Sequence, residues 1–215
     1  MTTEDPIDRI NKKLKISNTG GLWRDIPDAY KDSGPSWQYV RRETSRARLP
    51  SIENGNESLE LRIWEHFDWG RMVFVVRYKD SIWNAEWNAE GYIYRMLAAP
   101  GGRDNVDLIA VDTVRLGEPK AGWNQFMNKL IDKGILDLKD KSNIPGYVAD
   151  NEFLYIAVEI ATKNYYRYYS LPNAREFTSK IKEDKAMLEI LELIQNEFPE
   201  IMPEISRYSK AGINK

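Results

Sequence analysis

An alternation of apolar and polar residues that runs from Glu57 to Lys79 and breaks once constrains this chain most. Leu59, Leu61 and Ile63 take one side of a strand, and Glu60, Arg62, Trp64 and His66 take the other. After Phe67-Asp68-Trp69-Gly70, a loop ending in glycine, Met72, Phe74, Val76 and Tyr78 alternate with Arg71, Val73, Val75, Arg77 and Lys79. Pairing His66 with Arg71 sets Ile63 opposite Phe74, Leu61 opposite Val76 and Leu59 opposite Tyr78, all on one face. The same register brings Glu60 opposite Arg77 on the other face, an opposite-charge cross-strand pair. Hydrophobic and charge patterns therefore select the same hairpin.

The rest of the chain extends this element. Further strands are predicted at Ile82 to Asn88, Gly91 to Ala98 and Leu108 to Leu116, punctuated by Pro100-Gly101-Gly102 and Asp104-Asn105. Trp123, Phe126, Met127, Leu130 and Ile131 step by three and four, which reads as an amphipathic helix closed by Gly134. A second hairpin runs from Leu154 to Ile160, turns at Thr162-Lys163-Asn164 and returns through Tyr165 to Tyr169. A long helix follows from about Ala174 to Phe198 and stops at Pro199. The order β-β-β-β-α-β-β-α predicts an α+β fold: a mainly antiparallel sheet of about six strands, with two clear hairpins and two main helices packed on one face.

Residues 1–56 read differently. Asp5-Pro6, Gly20-Gly21, Ile26-Pro27-Asp28, Ser33-Gly34-Pro35 and Leu49-Pro50 interrupt any period, leaving one short helix from Pro6 to Lys15. Trp23, Tyr30, Trp37 and Tyr39 supply anchors, so the expectation is an irregular N-terminal segment (1–56) wrapped across an α+β domain (57–198), with a tail (199–215).

Composition narrows the chemistry. With 31 Lys and Arg against 33 Asp and Glu, no global field draws in nucleic acid. The chain has no cysteine, which removes disulfides, thiolate catalysis and sulfur-ligated metals. Its one histidine cannot build a zinc site alone. Apolar runs are far shorter than a membrane helix requires, and no leader is expected at the start; the expected state is soluble, either cytoplasmic or exported with a leader removed. No cofactor or metal is expected, since Asp104-Asn105-Val106-Asp107 lacks EF-hand spacing and G-x-x-x-x-G-K-[ST] is absent.

The unusual resource is aromatic, with seven Trp and twelve Tyr. Trp83-Asn84-Ala85-Glu86 repeats as Trp87-Asn88-Ala89-Glu90, which on a strand puts both indoles on one face and amides and carboxylates on the other. These are the ingredients of a sugar-stacking platform, though large aromatics are more often core, so the expectation is that both indoles pack under a helix or under the N-terminal segment. Tyr166, Arg167 and Tyr168, with Glu159 on the preceding strand, are the residue types of a pocket wall or partner patch. Trp64 joins them as a candidate. His66 reads as an exposed hairpin-tip residue with no nucleophile motif beside it. Arg41, Arg42, Arg46 and Arg48 form a basic cluster expected to pair with acids of the same chain.

In the C-terminal half, W-x-x-F-x-x-x-L-x-x-x-G-I-L-x-L from Trp123, a strand ending Val158-Glu159 and the aromatic strand from Tyr165 to Pro172-Asn173 loosely resemble small uncharacterised bacterial proteins, many of them exported. The resemblance implies an α+β domain and no activity or catalytic residues. The expectation for function is a non-enzymatic module that holds a protein or glycan partner on an aromatic sheet face or groove, with candidate residues Trp64, Trp83, Trp87, Glu159, Tyr166, Arg167 and Tyr168. The alternative is a carboxylate-based hydrolase acting on saccharides.

Overall fold

The computed structural model describes residues 4–14, 21–28, 35–67, 70–95, 105–145, 155–172 and 181–201, excepting the side chains of 35–39, 91–95 and 105–112. Its elements, in chain order, are α1 (Pro6–Lys13), β1 (Trp23–Asp25), α2 (Pro35–Arg46), β2 (Leu59–Phe67), β3 (Gly70–Lys79), β4 (Ile82–Arg95), β5 (Asn105–Leu116), α3 (Trp123–Asp132), β6 (Tyr155–Thr162), β7 (Tyr165–Pro172) and α4 (Lys182–Glu197). The strands form one seven-stranded sheet in the order β1-β7-β6-β2-β3-β4-β5.

The β2–β3 hairpin has the register that both sequence patterns select, with Ile63 opposite Phe74 and Glu60 opposite Arg77. Asp68 and Trp69 of its loop lie outside the described residues. The β6–β7 hairpin also forms, and β6 then pairs antiparallel with β2, joining the two hairpins.

Three predictions need correction. The sheet has seven strands rather than about six and is mixed, because β1 runs parallel to β7. Three residues are too few to carry a period, so β1 gave no signal. Second, the strands expected at 82–88 and 91–98 are a single strand, β4, whose pairing to β5 shifts register between Gly91 and Tyr92. Gly91 marks an irregularity in the ladder rather than a turn. Third, the N-terminal segment is less irregular than its punctuation implied, since α2 starts at Pro35. That proline occupies the first helical position, where a missing N–H costs nothing.

The two sheet faces carry different cores. On the first, Leu61, Ile63, Phe74, Val76, Trp87 and Val158 pack with Ile10 of α1, Phe126 and Leu130 of α3 and Ile190 and Ile194 of α4. The two main helices therefore share one face as predicted, α4 being described only from Lys182. On the second, Trp64, Val73, Val75, Ala157, Tyr166 and Tyr168 pack with Val40 of α2 and with Ile26 and Ile52. β2 is consequently buried on both sides, and the polar side of its alternation faces protein instead of water.

The N-terminal segment is tied down at several points. Asp5 caps α1 by accepting from the Ile7 N–H at 2.7 Å. Arg9 reaches α3, donating to the Asn128 side-chain oxygen and to Asp132, each at 2.6 Å. The Trp23 N–H donates to the Asn164 carbonyl, and the Asn56 N–H to the Thr162 carbonyl, so both stretches are stitched to the β6–β7 turn.

Candidate functional site

Burial on the second face forces its charged residues into pairs, because an isolated ion away from water is costly. Arg62 on β2 is fully buried and donates through Nε to Glu60 Oε1 at 2.7 Å and through Nη2 to the Pro50 carbonyl at 2.6 Å. Its Nη1 lies 3.8 Å from Glu159 on β6. Glu159 accepts from the Trp64 indole N–H at 2.8 Å and from the Tyr166 hydroxyl at 2.9 Å. Burial pushes the Glu159 carboxyl above the usual carboxylate range, against the opposing pull of Arg62 and of the two hydrogen bonds. Glu60 also holds Arg77, whose Nε lies 3.1 Å from it, and Arg77 in turn holds Glu86 at 3.0 Å. Farther along the same face, Arg71 of β3 pairs with both Glu43 of α2 and Glu90 of β4.

Four of the candidate residues, Trp64, Glu159, Tyr166 and Tyr168, therefore meet on the second face. All four are buried. Trp83, Trp87 and Arg167 belong to the opposite side of the sheet. Trp87 is buried in the first core, and Arg167 sits at the margin, donating to the Leu138 carbonyl and paired with Asp25 at 3.1 Å. Of the three candidate tryptophans only Trp83 keeps a half-exposed surface, with its ring stacked on Trp123 at 5.9 Å between centroids.

His66 is not an exposed tip residue. It is 3 % exposed and stacks on Tyr155 at 4.1 Å between centroids. Burial pushes the imidazole down to about 3, so it is neutral at ordinary pH. Sequence reasoning missed this because the cover over the hairpin comes from a distant part of the chain. Three of the four clustered arginines pair with acids of the same chain: Arg41 with Glu53 at 2.8 Å, and Arg42 and Arg46 each at 3.2 Å from Glu43, while Arg48 is exposed.

A groove of about 620 Å³ runs between α1, the β3–β4 turn and the β6–β7 turn. Its floor and one wall are Ile7 and Ile10 of α1 with Leu59 and Tyr78, and its rim carries Glu57, Lys79, Asp80 and Lys163. Asn11, Ser58, Thr162 and Asn164 add uncharged hydrogen-bonding groups. Sequence reading had no means to find it, because its lining comes from four separate stretches of chain. The β3–β4 turn that forms one side is strained: Asp80 and Ser81 both adopt positive φ, at 51° and 64°. Among the described residues, no group of three or more acidic or histidine side chains is placed to hold a metal.

No family model, curated protein or solved structure matches the chain.

Proposed function

We propose that this protein is a non-enzymatic binding module whose ligand sits in the groove between α1 and the two turns. The observation that carries this reading is the groove itself, where apolar floor and polar rim converge on one open space of ligand size. The state of the buried carboxylates supports it. Glu60, Glu159, Glu43 and Glu90 are each engaged by a cation or hydrogen-bond donor on the second face, and none of them lines the groove. The groove's own carboxylates, Glu57 and Asp80, stand on its rim with Lys163 and Lys79, Glu57 lying 3.6 Å from Lys163.

No helix among the described residues is long and apolar enough to cross a membrane. The test is a ligand screen read by backbone amide NMR. Binders shift the resonances of Lys79, Asp80 and Asn164, and Asn11→Arg, a change at an exposed position of α1, abolishes those shifts while leaving the thermal midpoint within about 2 °C of wild type. Binding that maps to the second face, around Arg62 and Glu159, overturns the proposal.

A further inference from the structure

The sheet registers place a row of side chains across the strands at the groove. Trp23 aligns with Tyr165. Tyr165 pairs with Thr162. Leu59 lies next in line, one residue beyond the Glu60–Ala161 pair, and is opposite Tyr78, which is opposite Trp83. Neighbours in register project to the same face, and Tyr165, Leu59 and Trp83 all belong with the first core. The row thus runs Trp23, Tyr165, Thr162, Leu59, Tyr78, Trp83 over five strand spacings, about 24 Å at about 4.8 Å each.

Apart from Tyr165, which is 6 % exposed and packed in the first core, this row differs from a core in its exposure. Leu59, Tyr78 and Trp83 are half-buried, and Trp23 is 68 % exposed. Trp23 and Ile82 are the two large apolar side chains that stand exposed among the described residues, and both lie at this end of the sheet. The Trp23 main chain is fixed by its hydrogen bond to Asn164, whose neighbour Lys163 also lines the groove. The exposed ring therefore sits on a backbone held to Asn164, a residue that lines the groove.

The charges of the groove define what such a face would meet. Glu57 and Asp80 balance Lys79 and Lys163, and Lys163 lies 3.6 Å from Glu57. A net anionic or cationic ligand gains nothing from that rim. Amides and hydroxyls beside the Tyr78 ring, with Glu57 paired to Lys163, suit instead a neutral chain with C–H faces and many hydroxyls. We infer that the groove, with Trp23 at its edge, binds a neutral oligosaccharide lying across the strands. This rests on the groove being the binding site and adds the class of its ligand.

The test uses the full chain and a panel of neutral hexasaccharides (cellohexaose, xylohexaose, mannohexaose, maltohexaose and chitohexaose) beside a mixed peptide library and a sulfated hexasaccharide, all read by amide NMR and calorimetry. At least one neutral hexasaccharide shifts Lys79, Asp80 and Asn164. Its affinity falls by about tenfold or more in Trp23→Ala and is unchanged between about 0.1 and 1 M salt. Trp23→Ala removes an exposed side chain on a three-residue edge strand, so the thermal midpoint stays close to wild type; Trp23→Phe keeps a ring and recovers part of the affinity. Peptides or the sulfated sugar shifting the groove while the neutral panel does not overturns the ligand class and leaves the groove as the site. No shift at the groove with any of these probes overturns both. Neutral-sugar binding that Trp23→Ala leaves intact overturns the role given to the row.

Discussion

His66 illustrates how far local environment decides a side chain's chemistry in this protein. Its ring lies against Tyr155, within 18° of parallel, and is closed off from water, so protonation would place an unscreened cation in the interior. The folded-state pKa is about 3 against an ordinary 6.5, which fixes the sign of the pH effect. The neutral ring stabilises the fold fully above pH 6.5. As pH falls from 6.5 towards 3, the unfolded chain takes up a proton that the folded chain refuses, and stability drops by up to about 1.4 kcal/mol per pH unit. Because the chain has a single histidine, the measurement is direct. The one imidazole signal in a proton–carbon NMR titration shows no inflection between pH 5.5 and 7.5, and an inflection there would show that the ring is reached by water. Glu159 works in the opposite sense: its raised carboxyl favours the protonated folded state, so its contribution is fullest at acid pH and is lost as pH rises through the folded pKa.

At the scale of elements, the informative contact is between the stretch before β2 and the β6–β7 turn. Gly55 has φ +88°, and a β-carbon there would come within 2.6 Å of the Lys163 carbonyl oxygen. The neighbouring Asn56 N–H donates to the Thr162 carbonyl at 3.0 Å, so neither chain can retreat without losing a hydrogen bond. Gly55→Ala is therefore expected to cost about 1–3 kcal/mol, read as a lowered urea midpoint with an unchanged m value. A loss below about 0.5 kcal/mol would mean the turn is free to move. The same elements show what the sequence could reveal. The β2–β3 register was legible because two properties, apolar side and charge, repeat with the same period of two. What alternation cannot report is whether the polar side meets water or another part of the chain. Glu60 and Arg62 look like a solvated face, yet each answers the other across the fold of β2 and both are buried. α2 was hidden differently: Ser33-Gly34-Pro35 reads as a turn, while the helix it opens shows Val40, Thr44 and Ala47 at steps of four and three among arginines. The groove was illegible, and so was the row across it: the β6–β7 hairpin showed in the local pattern, but the β1–β7 and β2–β6 registers join segments far apart in the chain, which no local pattern encodes.

At the scale of the molecule, the described parts of the first 56 residues touch both faces and one edge of the sheet: α1 on the first core, β1 extending the sheet beside β7, and α2 with Ile26 and Ile52 on the second core. The second contact is held by charge as well as by apolar packing. Arg71 of β3 lies between Glu43 of α2 and Glu90 of β4, and all three are buried. Removing the cation strands Glu90 beside Glu43, which keeps only the half-exposed Arg42 and Arg46, so Arg71→Met should lower stability by about 2–4 kcal/mol at pH 7. The loss shrinks as pH falls, because protonation of the stranded carboxyls relieves their repulsion. Replacing the whole set (Glu43→Leu, Arg71→Met and Glu90→Leu together) restores most of that stability, because apolar side chains of similar volume need no partners. Arg42 and Arg46, which also contact Glu43, are about half-exposed and return to water when it is removed. Urea unfolding of the single and triple variants across pH 4–8 distinguishes this from plain packing. A single variant as stable as wild type, or a triple variant weaker than the single, would show that the charges do not fasten α2 to the sheet.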